Sequence, residues 1–174
     1  VVLAYTNSLS APFLFDDAGA VLGNPTIRDL TSLAVLNPPA DGSTTTARPL
    51  VNFSYALNYA LGGEAVWGYH ALNLAIHSAA ALALFGLLRR TVASAPINLP
   101  AVSRDSAALA AASLWALHPL QTESVVCIAQ RTELLCGLFF LFTLYAFTRA
   151  LPKPGGAWPA IAPLRAPPWR WRRR

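Results

Sequence analysis

The chain has 174 residues, of which 55% are hydrophobic and 12% charged, and its mean hydropathy is +0.43. Soluble domains carry about 25% charged residues, so this composition excludes a disordered protein, a charged coiled coil and a typical cytosolic enzyme. A membrane protein or an unusually apolar core domain remains. Residues 1–150 hold seven arginines and eight acidic residues, whereas residues 151–174 hold six basic residues and no acidic one. The net charge of +5 therefore belongs to the tail and does not predict a nucleic-acid-binding face.

The chain contains no methionine and begins inside an apolar run, which predicts a fragment of a longer protein. We interpret residues 1–68 as the end of a first membrane helix followed by a long external loop. Asp16 and Asp17 lie early in this loop, directly after an apolar stretch. Because neighbouring negative charges disfavour each other's ionisation, one of the pair is a candidate general base toward a hydroxyl. The alternative is a loop acid or a helix cap in water.

A short amphipathic helix is predicted to begin at Pro49, because proline suits the first helical position. Gly62 and Gly63 would end it. The helix is too polar to span a bilayer and is suited to lie at its surface. Its apolar face, defined by helical spacing, consists of Leu50, Phe53, Leu57 and Leu61.

Three apolar segments follow, and we assign residues 69–150 to three membrane helices. The first, residues 69–88, has no charged residue and matches the roughly 20 residues that cross a hydrocarbon core. The second, residues 106–117, is short for a spanning helix. The third, residues 134–147, could form one helix with residues 125–128 before it.

Basic residues at the segment ends predict the orientation. Arg89 and Arg90 follow the first segment and Arg149 follows the third, and cytoplasmic loops are enriched in such residues. The three segments would then run inward, outward and inward again. Residues 10–68 and 118–133 would consequently lie together on the non-cytoplasmic side.

A polar stripe marks one side of the first segment, where His70, Asn73 and His77 lie at helical spacing. Such groups face lipid only at high cost, so this side is predicted to form interhelical hydrogen bonds. A metal site would need a third strong ligand, and none is evident. The same stripe favours a transporter of a lipid-linked substrate as an alternative function.

Two further polar motifs precede and open the third segment. Residues 118–124, with His118 and Glu123, form a junction that is costly near a membrane unless it lines a polar cavity; the alternative is a capped helix connection. Arg131, next to Glu133, could bind a phosphate through its planar guanidinium. The alternatives are a structural pair of Arg131 with Glu123 or Glu133, or a snorkelling side chain.

The tail, residues 151–174, has six prolines and ends in an arginine-rich run. We expect a disordered basic segment that rests on anionic lipid. The alternative, suggested by composition, is that the tail is not native sequence.

Seven motifs occur in a familiar order. Together they resemble, over about residues 5–148, the N-terminal membrane region of the transmembrane O-mannosyltransferases that carry tetratricopeptide repeats. Bacterial membrane proteins with C-terminal tetratricopeptide repeats share this region. The motifs are Phe15-Asp16-Asp17, Asn24-Pro25, Arg48-Pro49-Leu50, Leu57 to Gly63, Gly68 to Asn73 with His77, Leu117 to Val125, and Arg131 to Leu135.

This resemblance implies an all-α, polytopic fold of the GT-C type, truncated here. It implies transfer of a sugar, mannose in the named family, from a polyprenyl-phosphate donor to a serine or threonine of a protein outside the cytoplasm. The catalytic positions would be Asp16 and Asp17. The substrate-binding positions would be His118, Glu123, Arg131 and Glu133.

The resemblance also leaves a non-enzymatic alternative, a membrane anchor that presents repeats as a scaffold. We expect the fragment alone to be inactive. We expect no cofactor, and nothing in the residues supports a divalent metal. The alanine-, arginine- and proline-rich composition suggests a GC-rich genome, which predicts a multi-pass protein of a bacterial inner membrane.

Overall fold

The computed structural model describes residues 1–94 and 100–150, and this part of the chain is helical, without a strand. The all-α prediction is confirmed there, whereas the prediction for the tail, residues 151–174, lies outside the described residues. The α-helices are α1 (Pro49–Gly62), α2 (Val66–Ser94), α3 (Ala101–Ala116), α4 (Gln121–Val126) and α5 (Arg131–Ala150). Short 3-10 or π-helical segments occupy Val2–Ser10, Ala18–Leu22, Pro25–Ile27, Leu33–Leu36 and Ile128–Gln130.

Helix α1 confirms the predicted amphipathic helix, with proline at its first position and Gly63 directly after its end. Gly63 has φ +60°, a conformation that glycine adopts without steric cost. The apolar face points outward, since Leu57 is 38% and Leu61 80% exposed. The opposite face is buried and carries the amides of Asn52 and Asn58. This outward apolar face suits a helix that lies against lipid.

Helix α3 runs antiparallel to α2. The carbonyl of Ala116 contacts the imidazole of His77 at 2.9 Å, while the later Arg89 pairs with the earlier Asp105 at 2.9 Å. This direction agrees with the predicted return of the second apolar segment. Because α3 has only 16 residues, shorter than the roughly 20 that cross a hydrocarbon core, its crossing of a membrane stays a prediction.

Helix α5 runs parallel to α2 on another side. Near their beginnings Arg131 donates to the carbonyl of Tyr69, and near their ends Arg90 donates to the carbonyl of Thr148. The stretches Val66–Ala93 and Ile128–Ala150 are long and apolar enough to cross a membrane. The two helices therefore point the same way, as the predicted inward direction of the first and third segments requires.

The expected continuation of residues 125–128 into the third apolar helix is wrong. Helix α4 ends at Val126, and Cys127 has an extended backbone with ψ 118° before the short turn that precedes α5. The N–H of Ala129, just after this break, donates to the carboxylate of Asp17 in the loop before α1. A long-range hydrogen bond of this kind leaves no periodic signal in the sequence.

The loop that precedes α1 packs as a small core over α1 and the turn before α5. Ile27, Tyr55 and Ile128 are fully buried in this core. Asn24 and Asn52 lie beside it and share a hydrogen bond of 2.8 Å. These amides have several further partners, so the buried polar groups are satisfied rather than costly.

Candidate functional site

The two predicted loop segments meet at Asp17. Its carboxylate is fully buried and accepts hydrogen bonds from the N–H of Leu14 at 2.9 Å and from the N–H of Ala129 at 2.6 Å. The thiol of Cys127 donates to the same carboxylate at 3.4 Å. The predicted co-location of residues 10–68 and 118–133 is therefore confirmed. Which side of a membrane they occupy stays a prediction.

Asp16 differs from its neighbour, because its side chain is exposed. It follows Phe15, which is 92% exposed and has φ +44°. A bulky residue with positive φ is strained, and such strain is concentrated at functional sites. The structure thus separates the predicted pair into a buried carboxylate that anchors the loop and a carboxylate that is open to a ligand.

Arg131 is fully buried among residues of α1 and α2. Its Nε donates to Asn73 Oδ1 at 2.7 Å, and its terminal nitrogens donate to Asn58 Oδ1 at 2.8 Å and to the carbonyl of Tyr69 at 2.9 Å. Two longer hydrogen bonds reach the carbonyl and the hydroxyl of Ser54. We call Arg131 with these four residues and Tyr55 the Arg131 cluster.

Tyr55 completes the Arg131 cluster from below the guanidinium plane. The guanidinium carbon lies 4.5 Å from the centre of its ring, a cation–π distance. The phenol is buried and donates to the carbonyl of Ile128 at 2.8 Å. Burial raises the pKa of Tyr55 above its ordinary value, so the phenol stays a hydrogen-bond donor across the physiological range.

The alternative pairing of Arg131 with Glu123 or Glu133 is wrong. Both carboxylates are exposed, and the hydrogen bonds of Arg131 go to amides, a hydroxyl and carbonyls instead. Snorkelling is also wrong, since the side chain is buried rather than extended to an interface. A spacing of eight residues placed Glu123 two turns away on one helix, but the helix is broken between the two positions.

His118 lies at the turn between α3 and α4. Its imidazole is exposed, and Nδ1 accepts the N–H of Leu120 at 3.2 Å. Glu123 lies in the first turn of α4 and Glu133 in the first turn of α5, where an acidic side chain is favoured by the helix dipole. Of the six predicted site residues, the structure brings Asp17 and Arg131 into one buried region and leaves the other four exposed.

The stripe on α2 is buried, and Asn73 and His77 form the predicted interhelical hydrogen bonds, to Arg131 of α5 and Ala116 of α3. His70 contacts the carbonyl of Ala11 at 3.0 Å, and Asn73 donates to the carbonyl of Cys127 at 3.2 Å while accepting from Arg131. His77 contacts Ala116 and stacks against an indole of α3. Within the described ranges, no group of three or more His, Cys, Asp or Glu side chains is placed to hold a metal ion.

Sequence reasoning missed most of the Arg131 cluster. The available signal was the polar side of α1, where Tyr55 and Asn58 fall away from the apolar face. A polar helix side is equally typical of a helix face that is exposed to solvent. Only the distance to Arg131 reveals its role, and that residue lies more than 70 positions further along the chain.

Taken together, the described residues form a helical protein with two candidate membrane helices and a buried polar cluster at one end of both. Neither a protein-family model nor a solved structure matches the chain. Curated relatives do: human protein O-mannosyl-transferase TMTC4 is 30% identical over 165 residues, which is 86% of this chain and 22% of that protein. Drosophila melanogaster Tmtc1 is 33% identical over 153 residues, covering 83% and 17% of the two chains.

A third relative, human protein O-mannosyl-transferase TMTC3, is 29% identical over 171 residues, which cover 93% of this chain and 18% of the relative. The resemblance to the transmembrane O-mannosyltransferases is therefore confirmed. The chain spans about a fifth of the length of these relatives. All three are animal proteins, so they give no support to the expected bacterial inner membrane.

Proposed function

We propose that this chain is the N-terminal membrane region of a GT-C-type O-mannosyltransferase. Such an enzyme transfers mannose from a polyprenyl-phosphate donor to a serine or threonine hydroxyl of a protein. Two candidate membrane helices and similarity to proteins named O-mannosyl-transferases support this proposal. The observation that carries the site is the exposed carboxylate of Asp16, held by a buried neighbour whose own oxygens are occupied.

Asp16 is the proposed general base. Its carboxylate accepts the proton of the acceptor hydroxyl while the hydroxyl oxygen forms a bond to the anomeric carbon of mannose. The bond between that carbon and the donor phosphate oxygen breaks, and its electron pair leaves with the polyprenyl phosphate. A positioned base of this kind contributes about 10²–10⁴-fold to the rate.

Asp17 and Arg131 are the proposed positioning residues. Asp17 fixes the loop that carries Asp16 to the turn before α5, and Arg131 fixes α5 to α1 and α2. His118, with an exposed imidazole, is proposed to balance charge on the departing phosphate. Glu123 and Glu133, also exposed, are proposed to bind hydroxyl groups of the substrates.

The test uses a chimera in which this chain replaces the matching segment of human TMTC4. Mannose transfer and donor hydrolysis are measured in membranes for the chimera and for Asp16→Asn and Asp17→Asn. We expect Asp16→Asn to lose at least a hundredfold in rate with unchanged thermal stability, because its side chain is exposed. Asp17→Asn should lose stability by about 1.5–3 kcal/mol, since it weakens buried hydrogen bonds to a charged acceptor.

The outcomes distinguish the proposed enzyme from the two alternative functions, a scaffold anchor and a transporter. Full transfer by both variants, or a folded chimera that binds donor without hydrolysing it, would support the scaffold anchor instead. Movement of a lipid-linked substrate without transfer would support the transporter. The polar stripe that suggested a transporter is fully buried in this structure.

A further inference from the structure

A groove separates α2 from α5 at the end of these helices that is opposite to the Arg131 cluster. It encloses a cavity of about 700 Å³. Small side chains form part of the α2 side, while larger apolar ones and three arginines complete the walls. The lining includes Ala83, Gly86, Arg89, Arg90, Tyr145 and Arg149.

Gly86 determines the shape of this groove. A Cβ atom at this position would lie 2.8 Å from the ring of Tyr145, which is closer than real Cβ contacts. The glycine therefore lets the aromatic ring close against α2 at this level. On either side of Gly86 along α2, the small side chains of Ala83 and Ala93 leave space in the groove. The result is a slot lined mainly by apolar side chains.

The charge at this groove is positive. Arg89 pairs with Asp105 of α3 at 2.9 Å, and both side chains remain about half exposed. Arg90 is held by the carbonyl of Thr148. Arg149 is exposed, and no hydrogen bond or ion pair joins it to another residue within ranges 1–94 and 100–150. Arg149 therefore adds a positive charge without an ion-pair partner among the described residues beside these apolar walls.

We propose that this groove binds an anionic phospholipid, with an acyl chain along the slot and the phosphate against Arg149 and Arg89. The guanidinium group matches a phosphate with two parallel hydrogen bonds, and the apolar walls match the chain. The groove lies at the end of α2 that the positive residues assign to the cytoplasmic side, where anionic lipids are concentrated. A protein helix fits the slot less well, because it would bury Arg149 without a counter-charge.

The experiment measures lipid retention by native mass spectrometry after the purified chain is exchanged between nanodiscs of phosphatidylglycerol and of phosphatidylcholine. The wild type should retain phosphatidylglycerol preferentially. Arg149→Gln should reduce this preference about fivefold, which corresponds to ~1 kcal/mol per basic residue. Ala83→Phe, which fills the slot, should abolish retention of either lipid. Arg48→Gln removes one exposed charge at the opposite end and should behave as wild type.

Each remaining outcome would overturn the proposal. Equal retention by wild type and Arg149→Gln would exclude recognition of the headgroup, and an equal loss in Arg48→Gln would indicate diffuse surface attraction. Full competition by inorganic phosphate would show an anion site without a lipid chain. Because Arg149→Gln alters an exposed side chain, its folding is expected to be intact, and its thermal transition checks this. The readout is independent of mannose transfer, so it stands apart from the proposed function.

Discussion

Replacing Arg131 with methionine tests whether one buried guanidinium joins α1, α2 and α5. Methionine keeps much of the apolar stem and removes every hydrogen-bond donor. Three buried acceptors would lose a partner within 2.9 Å: the side-chain oxygens of Asn58 and Asn73 and the carbonyl of Tyr69. The stacking of the guanidinium on the ring of Tyr55 would also be lost.

The expected magnitude follows from these contacts. The two amide oxygens left unpaired cost about 1–3 kcal/mol each, and the carbonyl of Tyr69, which stays in the helical ladder of α2, loses one partner at about 1 kcal/mol, so the sum is roughly 3–7 kcal/mol. The variant no longer has to desolvate a guanidinium, which offsets several kcal/mol of this loss. We therefore expect a net decrease of about 3 kcal/mol in the free energy of unfolding. For a chain of this size, that lowers the midpoint of thermal unfolding by roughly 6–12 °C.

The assay is thermal unfolding of the detergent-purified chain, followed by loss of the monodisperse peak. Arg48→Gln is the matched control, because Arg48 is exposed and makes one hydrogen bond to the carbonyl of Thr44; its midpoint should stay within about 2 °C. Arg131→Lys should give an intermediate value, since an ammonium cannot reproduce the planar fork. A midpoint for Arg131→Met equal to that of the control would refute the structural role of the cluster.

Burial raises the pKa of Cys127 to about 11, so in a Cys136→Ala background its alkylation rate should keep rising through pH 10; a plateau near pH 9, as for a free thiol, would contradict this. Cysteines placed in a cysteine-free background at Ser43 and at Thr91, near opposite ends of α2, should react with an impermeant maleimide from opposite sides of sealed vesicles. Labelling of both from one side would contradict the predicted orientation. A nitroxide at Leu61 should be more accessible to oxygen than to a nickel chelate, because the apolar face of α1 is expected to lie in lipid.

Local features of the fold could be predicted from the sequence. Pro49 and Gly63 mark the two ends of α1, and both signals act through the backbone of one or two residues. The apolar length of α2 was likewise evident. The break at Cys127 could not be predicted. The hydrogen-bond acceptor that stabilises the broken segment is Asp17, which lies 110 positions earlier in the chain. Local propensity carries no information on such a contact.

Sequence analysis identified residues that belong to the candidate site, but it did not predict how they are arranged. Charge and proximity in sequence suggested that Asp16 and Asp17 share one environment. Their environments differ because successive side chains in this turn point to opposite sides, one into the core and one outward. Arg131 was singled out correctly as unusual, but a planar group with five donors suits a phosphate and a cage of carbonyls equally well. Only the positions of the α1 and α2 amides decide between them.

The arrangement explains how an exposed carboxylate can be held in place on a loop. The backbone beside Asp16 is fixed by Asp17, whose partner Ala129 belongs to the turn that leads into α5. That turn is fixed in its own right by Arg131, which reaches α1 and α2 together. Each step joins segments that are distant in sequence, so the position of the exposed carboxylate depends on the whole polar cluster. Support of this kind is what the proposed role of Asp16 as a general base requires, since a catalytic group needs a rigid second layer behind it. The same contacts occupy the polar atoms of Asp17 and Arg131, which leaves Asp16 as the member of the three that is exposed to solvent, as the proposed general base must be.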